Sequence, residues 1–306
     1  MASPTEILGL LLLPFWYFIE SFFKTCQDLF VPVSLRNLKD LSGEVALVTG
    51  GGAGLGRSLA IQLAELKVTV VTWDINQSAN EETVRMILDN GGSAYAYTVD
   101  IGNPEDVYAA AEKVKGEVGE VTLLVNNAAI GQSQSVWEIP DKIIQKMMTT
   151  NALAYFWLLR AFLPSMKENN HGHIVAILSG SLNMVPNGLG AYISSKSAAY
   201  GLHQALNTEL LCEQKTKIQT TVAFLDFIAT DMTVGRLNCG TADVLPPQVV
   251  AHHIIEGIRL NIPVVTSTKT SFMLYLFKNF IPTKIFLLLF RLGGVTSIFL
   301  NTKDKK

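Results

Sequence analysis

Between Leu41 and about Thr268, short apolar runs alternate with stretches that repeat at the helical period. The runs Val45 to Thr49, Val68 to Asp74, Ala94 to Val99, Thr122 to Asn126, His173 to Leu178 and Thr220 to Leu225 read as strands. Helical patterns fall between them, over Leu55–Lys67, Asn80–Asn90, Pro104–Val118, Asp141–Asn169 and Gly190–Gln214. Six strands alternating with five helices predict parallel strands with right-handed crossovers and helices on both faces. That is an α/β fold with a doubly wound parallel sheet, whose ligands bind at the carboxyl ends of the strands. The sequence shows no internal repeat, and Val234 to Pro247 is its one long irregular stretch.

Both ends depart from this pattern. Ile7 to Ile19 carries no charge, and Glu20 ends the run. Thirteen helical residues at ~1.5 Å each reach about 20 Å, short of a ~30 Å hydrocarbon core, and Pro14 bends a helix. Phe22-Phe23 and Leu29-Phe30-Val31 come after it, on either side of Lys24 to Asp28. A bent or in-plane membrane anchor fits this best; a true span, a secretory signal and a buried core helix are the alternatives. Against a signal, no Lys or Arg precedes the run and no small-residue cleavage site comes after it. At the other end, Phe272 to Phe280, Ile285 to Phe290 and Val295 to Leu300 are apolar clusters broken by Lys278, Lys284 and Arg291. They suit interfacial helices, or a helix that closes a substrate pocket in a dimer. Lys24, Arg36 and Lys39 after the first segment place the central region in the cytosol under either topology.

Composition narrows the classes. Charged residues make up 16% and hydrophobic ones 49%, which excludes a disordered chain. A net charge of −2 gives no basic field, so nucleic acid is not an expected partner. Cys26, Cys212 and Cys239 form no CxxC pair, so neither a disulfide framework nor a metal site is expected.

The first strand runs straight into Thr49-Gly50-Gly51-Gly52-Ala53-Gly54-Leu55-Gly56 and then a helix. Glycines permit the tight turn and close backbone approach, and the helix N-terminus stabilises a pyrophosphate. Twenty residues after Gly54, the second strand ends at Asp74. A carboxylate there accepts from a ribose 2′-OH and repels a 2′-phosphate, which favours NAD over NADP; a plain helix N-cap is the bland alternative.

TGGGAGLG resembles the TGxxxGxG fingerprint of the short-chain dehydrogenases/reductases. Asn126-Asn127-Ala128-Ala129 is similar to their NNAG, and Tyr192-Ile193-Ser194-Ser195-Lys196 to their YxxxK. The three motifs stand in the family's order and spacing and cover the central region. The resemblance implies a Rossmann-like domain with cofactor contacts at Gly50, Gly54, Leu55, Gly56, Asp74, Asp100, Ile101, Asn126, Tyr192, Lys196, Ile228 and Thr230.

Tyr192 and Lys196 stand i, i+4 on one helix face. A free tyrosine titrates near ~10, and a nearby ammonium and an oxidised nicotinamide both favour its phenolate. Tyr192 is then the expected general base for an alcohol, and the resemblance has Lys196 also hold the nicotinamide ribose. By resemblance, Ser179, thirteen residues earlier, is the serine that binds the substrate oxygen, and Asn151 the asparagine of a water-linked proton path to the lysine.

The chain also departs from the family pattern. Ala129 replaces the glycine of NNAG, Ser181-Leu182 stand where relatives often carry Ala-Gly, and Leu225-Asp226 replace Pro-Gly. These changes are expected to reshape the nicotinamide and substrate pockets. His171, His173, His252 and His253 lack a metal-ligand pattern and are expected in surface or capping roles. Asn76-Gln77-Ser78 matches a glycosylation sequon, which a cytosolic placement discounts.

Within the family, the chain is most similar to the membrane and lipid-droplet branch of epidermal retinol dehydrogenases and 17β-hydroxysteroid dehydrogenases. The resemblance rests on Pro14…Glu20-Ser21-Phe22, Trp73-Asp74-Ile75-Asn76, Ala161-Phe162-Leu163-Pro164 and Asn170-His171-Gly172-His173-Ile174-Val175. The expected organisation is an anchor over 1–40, a catalytic domain over 41–270 and apolar C-terminal helices over 271–306. The expected activity is NAD-dependent oxidation of a lipophilic alcohol, retinol or a hydroxysteroid. The alternatives are an NADPH-dependent lipid-ketone reductase and a catalytically weak NAD-binding scaffold. A homodimer is implied by resemblance, at the endoplasmic reticulum membrane or a lipid droplet, facing the cytosol.

Overall fold

A computed structural model describes residues 36–183, 187–213, 217–230, 232–233 and 244–277, with Leu12, Trp16, Ile19, Pro282, Lys284, Ile285 and Leu288 besides. The chain divides into two compact units, Met1–Lys39 and Asp40–Lys306. In the first, Leu12, Trp16 and Ile19 are helical. The rest of the Ile7 to Ile19 run, Phe22 to Val31, Lys278 to Phe280 and most of residues 281–306 lie outside the described residues. Among the described residues no helix is long and apolar enough to cross a membrane.

The second unit is a seven-stranded, wholly parallel sheet. Its strands are β1 (Val45–Thr49), β2 (Thr69–Asp74), β3 (Ser93–Thr98), β4 (Leu123–Asn126), β5 (Gly172–Ser179), β6 (Ile218–Leu225) and β7 (Val264–Thr266). The order across the sheet is β3-β2-β1-β4-β5-β6-β7, so the winding reverses between β1 and β4. A crevice opens at such a switch point, at the carboxyl ends of the strands. Six of the strands are those the apolar runs predict; β7 is only three residues long and leaves too little periodicity to detect.

Central strands lie between two helical layers, so they carry no polar face. Leu47, Leu124, Ile174, Ala176 and Phe224 point into one core. That core is shared with α3 (Pro104–Glu117), α5 (Ala154–Asn169) and α6 (Gly190–Cys212). Ala46, Val48, Val125, Val175 and Ala223 point into the other, against α1 (Gly54–Glu65), α2 (Gln77–Asp89) and α7 (Pro247–Arg259). Two further helices are α4 (Asp141–Met148) and α8 (Lys269–Phe277).

The helix expected over Asp141–Asn169 is interrupted. Between α4 and α5, Thr149–Leu153 forms a π-helical segment containing Asn151. The Asn151 side chain accepts from the Ile130 N–H and donates to the Ile130 carbonyl, both at 2.8 Å. It thereby serves the backbone of a loop that extends from β4, which no periodicity along one helix encodes. Two local expectations also change. The cap of α2 is Asn76, which accepts from the Ala79 N–H at 3.2 Å, so Asp74 is not a helix cap. His173 is buried within β5 and bonded to Thr221 Oγ1 at 2.8 Å, rather than surface-exposed or capping. His171 does sit at the surface, against Glu44.

Candidate active site

A cavity of about 680 Å³ opens at the carboxyl ends of the strands, within the size range of small-molecule sites. Its floor at one end is the turn between β1 and α1. Gly50 has φ +67° and Gly54 φ +54°, a region that side chains disfavour. A Cβ on Gly56 would overlap the Gly50 carbonyl oxygen, so only glycine lets the turn close this tightly. The turn is tied to β4 by two residues, Thr49 and Asn127, to which sequence reasoning assigned no part. Thr49 Oγ1 accepts from the N–H groups of Asn127 and Ala128, each at 3.0 Å. Asn127 Nδ2 donates to the Thr49 carbonyl at 2.8 Å. Their place inside the TGxxxGxG-like and NNAG-like motifs was the available signal.

Asp74 ends β2 beside this turn. One carboxylate oxygen accepts from the Gly52 N–H and the other from the Asn76 N–H, each at 2.9 Å. The acid is therefore fixed in orientation at the cavity wall. Asp100, Ile101, Leu55, Ile228 and Thr230 line the same cavity, whereas Asn126 does not; its neighbour Asn127 takes that place. Thr230 is held by Thr233, whose hydroxyl accepts from the Thr230 N–H at 3.1 Å. Residues 234–243, the core of the irregular stretch, lie outside the described residues.

Ser179, Tyr192 and Lys196 meet at the other end. Ser179 is the last residue of β5, and Tyr192 and Lys196 occupy the first two turns of α6. All three line the cavity. Lys196 is 4% exposed, and its ammonium donates to the Ile177 carbonyl at 2.9 Å. Asn151 does not line the cavity; it reaches Ser195 Oγ at 2.9 Å and the Ile130 backbone.

Burial dominates the electrostatics of the pair. Burial pushes the Tyr192 hydroxyl up to about 12, and the neighbouring Ser179 hydroxyl offsets only part of this. Burial also brings Lys196 down to about 8. With protein groups alone, desolvation thus outweighs any help the lysine gives to phenolate. Lys196 still carries its proton at neutral pH.

The donor set suits a dinucleotide: a turn of glycines at a helix N-terminus, an oriented acid at the end of β2, and a buried ammonium at the far end. Comparison with known proteins agrees. The sequence model of the short chain dehydrogenase family matches residues 44–238. The chain belongs to that family.

Its relatives fix the branch. The chain is 36% identical over 273 residues to estradiol 17-beta-dehydrogenase 11 of Macaca fascicularis, covering 89% of this chain and 88% of the relative. It is 35% identical over 291 residues to human epidermal retinol dehydrogenase 2, covering 94% of each. Among solved structures, a short-chain dehydrogenase/reductase from Burkholderia phymatum in complex with NAD superposes with a TM-score of 0.71 at 23% identity, covering 77% and 92% of the two chains. A metagenomic short-chain oxidoreductase in complex with NADP gives 0.64 at 26%, covering 74% and 98%. This short-chain dehydrogenase therefore shares its Rossmann-like sheet with proteins solved with either cofactor.

Proposed function

We propose that the protein is an NAD-dependent dehydrogenase that oxidises a lipophilic alcohol, a hydroxysteroid or retinol, to the ketone or aldehyde. The observation that carries this reading is the convergence of Ser179, Tyr192 and Lys196 on the cavity that the glycine turn opens into. When bound, an oxidised nicotinamide supplies the hydride acceptor and a positive charge that favours the Tyr192 phenolate.

In this reading Ser179 donates a hydrogen bond to the substrate oxygen, and Tyr192 takes the alcohol proton as the carbon gives up its hydride. The Lys196 ammonium steadies the phenolate and holds the ribose end of the cofactor. Asn151 acts as a positioning residue, because it organises the Ile130 loop and Ser195. Asp74 supports NAD: an oriented carboxylate at the end of β2 repels a 2′-phosphate.

The substrate class rests on the names of the relatives and on the mostly apolar lining of the cavity. Helix α8 contributes Leu274 to that cavity while exposing Met273, Leu276 and Phe277. A helix with one face on the site and an apolar face outward suits a lipid surface, in line with the endoplasmic reticulum or lipid-droplet placement and the apolar first segment. A homodimer through α5 and α6 is supported by the groove on these helices, lined by Phe156, Leu163 and Leu202.

The test measures NADH and NADPH absorbance with membrane-reconstituted protein and a panel of retinol, hydroxysteroids and long-chain alcohols, with Tyr192→Phe as the blank. NADH formation that the variant loses by ~10²-fold or more supports the reading. Tight NAD binding without turnover on any of these alcohols counts against it, and turnover with NADP alone removes the role given to Asp74.

A further inference from the structure

The carboxyl end of β6 carries an acid that the proposed chemistry does not use. Asp226 lines the cavity directly after Leu225, where the family pattern has Pro-Gly. Its oxygen Oδ2 accepts from the hydroxyls of Ser267 at 2.8 Å, Thr268 at 3.2 Å and Ser271. Its own N–H donates to Ser267 Oγ at 3.0 Å. These hydroxyls belong to the segment that starts α8, where Thr268 also accepts from the Ser271 N–H at 3.1 Å. A negative side chain at the first turn of a helix is itself favourable.

With Oδ2 fully engaged, the other oxygen is aimed away from α8. Asp226 Oδ1 lies against Gly180, so close that a Cβ there would overlap it. Gly180 is next to Ser179 in the chain, and Asp226 pairs with β5 through its neighbour, Leu225 opposite Ser179. The free edge of the carboxylate thus sits beside the substrate-oxygen serine, within the cavity that also holds Tyr192 and Lys196. A fixed anion at that end attracts a cationic ring more than a neutral one, and the oxidised and reduced nicotinamides differ in just this charge.

We propose that Asp226, held by Ser267, Thr268 and Ser271, sets a preference of this site for the oxidised nicotinamide dinucleotide over the reduced one. The inference rests on the proposed function in needing a nicotinamide cofactor in the cavity. It deepens that reading by giving this chain a device that favours alcohol oxidation, one that the family's glycine at this position does not supply.

The test is equilibrium binding of NAD⁺ and of NADH to the full-length protein without substrate, by calorimetry or by NADH fluorescence with competition. Asp226→Asn keeps the hydrogen-bond acceptor and removes the charge. It is expected to shift the ratio of the two dissociation constants roughly tenfold toward NADH. Ser271→Ala loosens the tie to α8 and keeps the charge, so its ratio is expected to stay within about twofold of the original. If Asp226→Asn does not fold, Asp226→Gly restores the family's residue and keeps the N–H to Ser267; the same shift is expected. Equal weakening of both forms in the Asp226 variants, or the full shift in Ser271→Ala, overturns the proposal and leaves Asp226 a latch for α8. If the unaltered protein binds neither form, the cofactor reading itself fails and takes this inference with it.

Discussion

Lys196 of α6 donates to the main-chain carbonyl of Ile177 in β5, two residues before Ser179, at 2.9 Å. The bond crosses from helix to sheet and locks the residue four positions after Tyr192 against the strand that ends in Ser179. It also keeps an amine with its charge in a dry place.

That burial has a measurable cost. The Lys196 ammonium titrates near about 8 when folded, against 10.5 in the unfolded chain. Between those values the unfolded state binds more protons, so stability rises with pH through the window, and the penalty is complete below about 8. Lys196→Met is expected to melt above the unaltered protein at pH 7, by up to ~2–3 kcal/mol less the lost hydrogen bond. The gap should close as pH rises from about 8 to 10.5. A gap that stays constant with pH in thermal denaturation would show that desolvation of the ammonium is not its source.

His203 gives a second, acid-side signature. It is 1% exposed on α6, bonded through Nδ1 to the Tyr155 hydroxyl at 2.9 Å, and burial lowers it to about 4. The folded protein keeps it neutral while the unfolded chain protonates near 6.5, so this contribution is present above 6.5 and lost as pH falls to about 4. Denaturant titrations should show His203→Gln losing less stability than the unaltered protein between about pH 6.5 and 4.5, by ~2 kcal/mol. Parallel acid curves for the two proteins would contradict this.

Two glycines should respond in opposite directions to alanine. Gly56→Ala drives a methyl into the Gly50 carbonyl, so dinucleotide binding should vanish and stability should fall by several kcal/mol, with ~1–3 typical of overpacking alone. Gly116, inside α3, has nothing within 4 Å of an added Cβ. Gly116→Ala is expected to gain ~0.5–1 kcal/mol from helix propensity, read as a higher melting temperature with unchanged binding.

Asp74 should control the choice between cofactors. Asp74→Ser keeps a small hydrogen-bonding group and removes the anion that repels a 2′-phosphate. The expected result is a fall of about tenfold or more in the preference for NAD over NADP, measured as a ratio of dissociation constants. Some general loss is expected as well, since the Gly52 and Asn76 N–H groups each lose their carboxylate acceptor. An unchanged ratio would place cofactor selection elsewhere.

Much of this molecule is legible in the order of its residues. The alternation of β1 through β6 with helices is readable because buried parallel strands are continuously apolar, and their crossover helices repeat at 3.6. The glycine turn and the Tyr192–Lys196 pair are legible for the same reason: a tight turn and an i, i+4 spacing are local constraints. What the tertiary structure alone decided depends on partners far apart in the chain. Asn151 leaves the helical period to serve the Ile130 backbone, 21 residues away, and a π segment results. Asp226 gathers hydroxyls from 41 to 45 residues further on. Spacing places Lys196 one turn from Tyr192 but does not reveal that burial raises the tyrosine hydroxyl and lowers the lysine. Local pattern fixes which backbone forms; desolvation and long-range hydrogen bonds fix what the side chains at its strand ends can do.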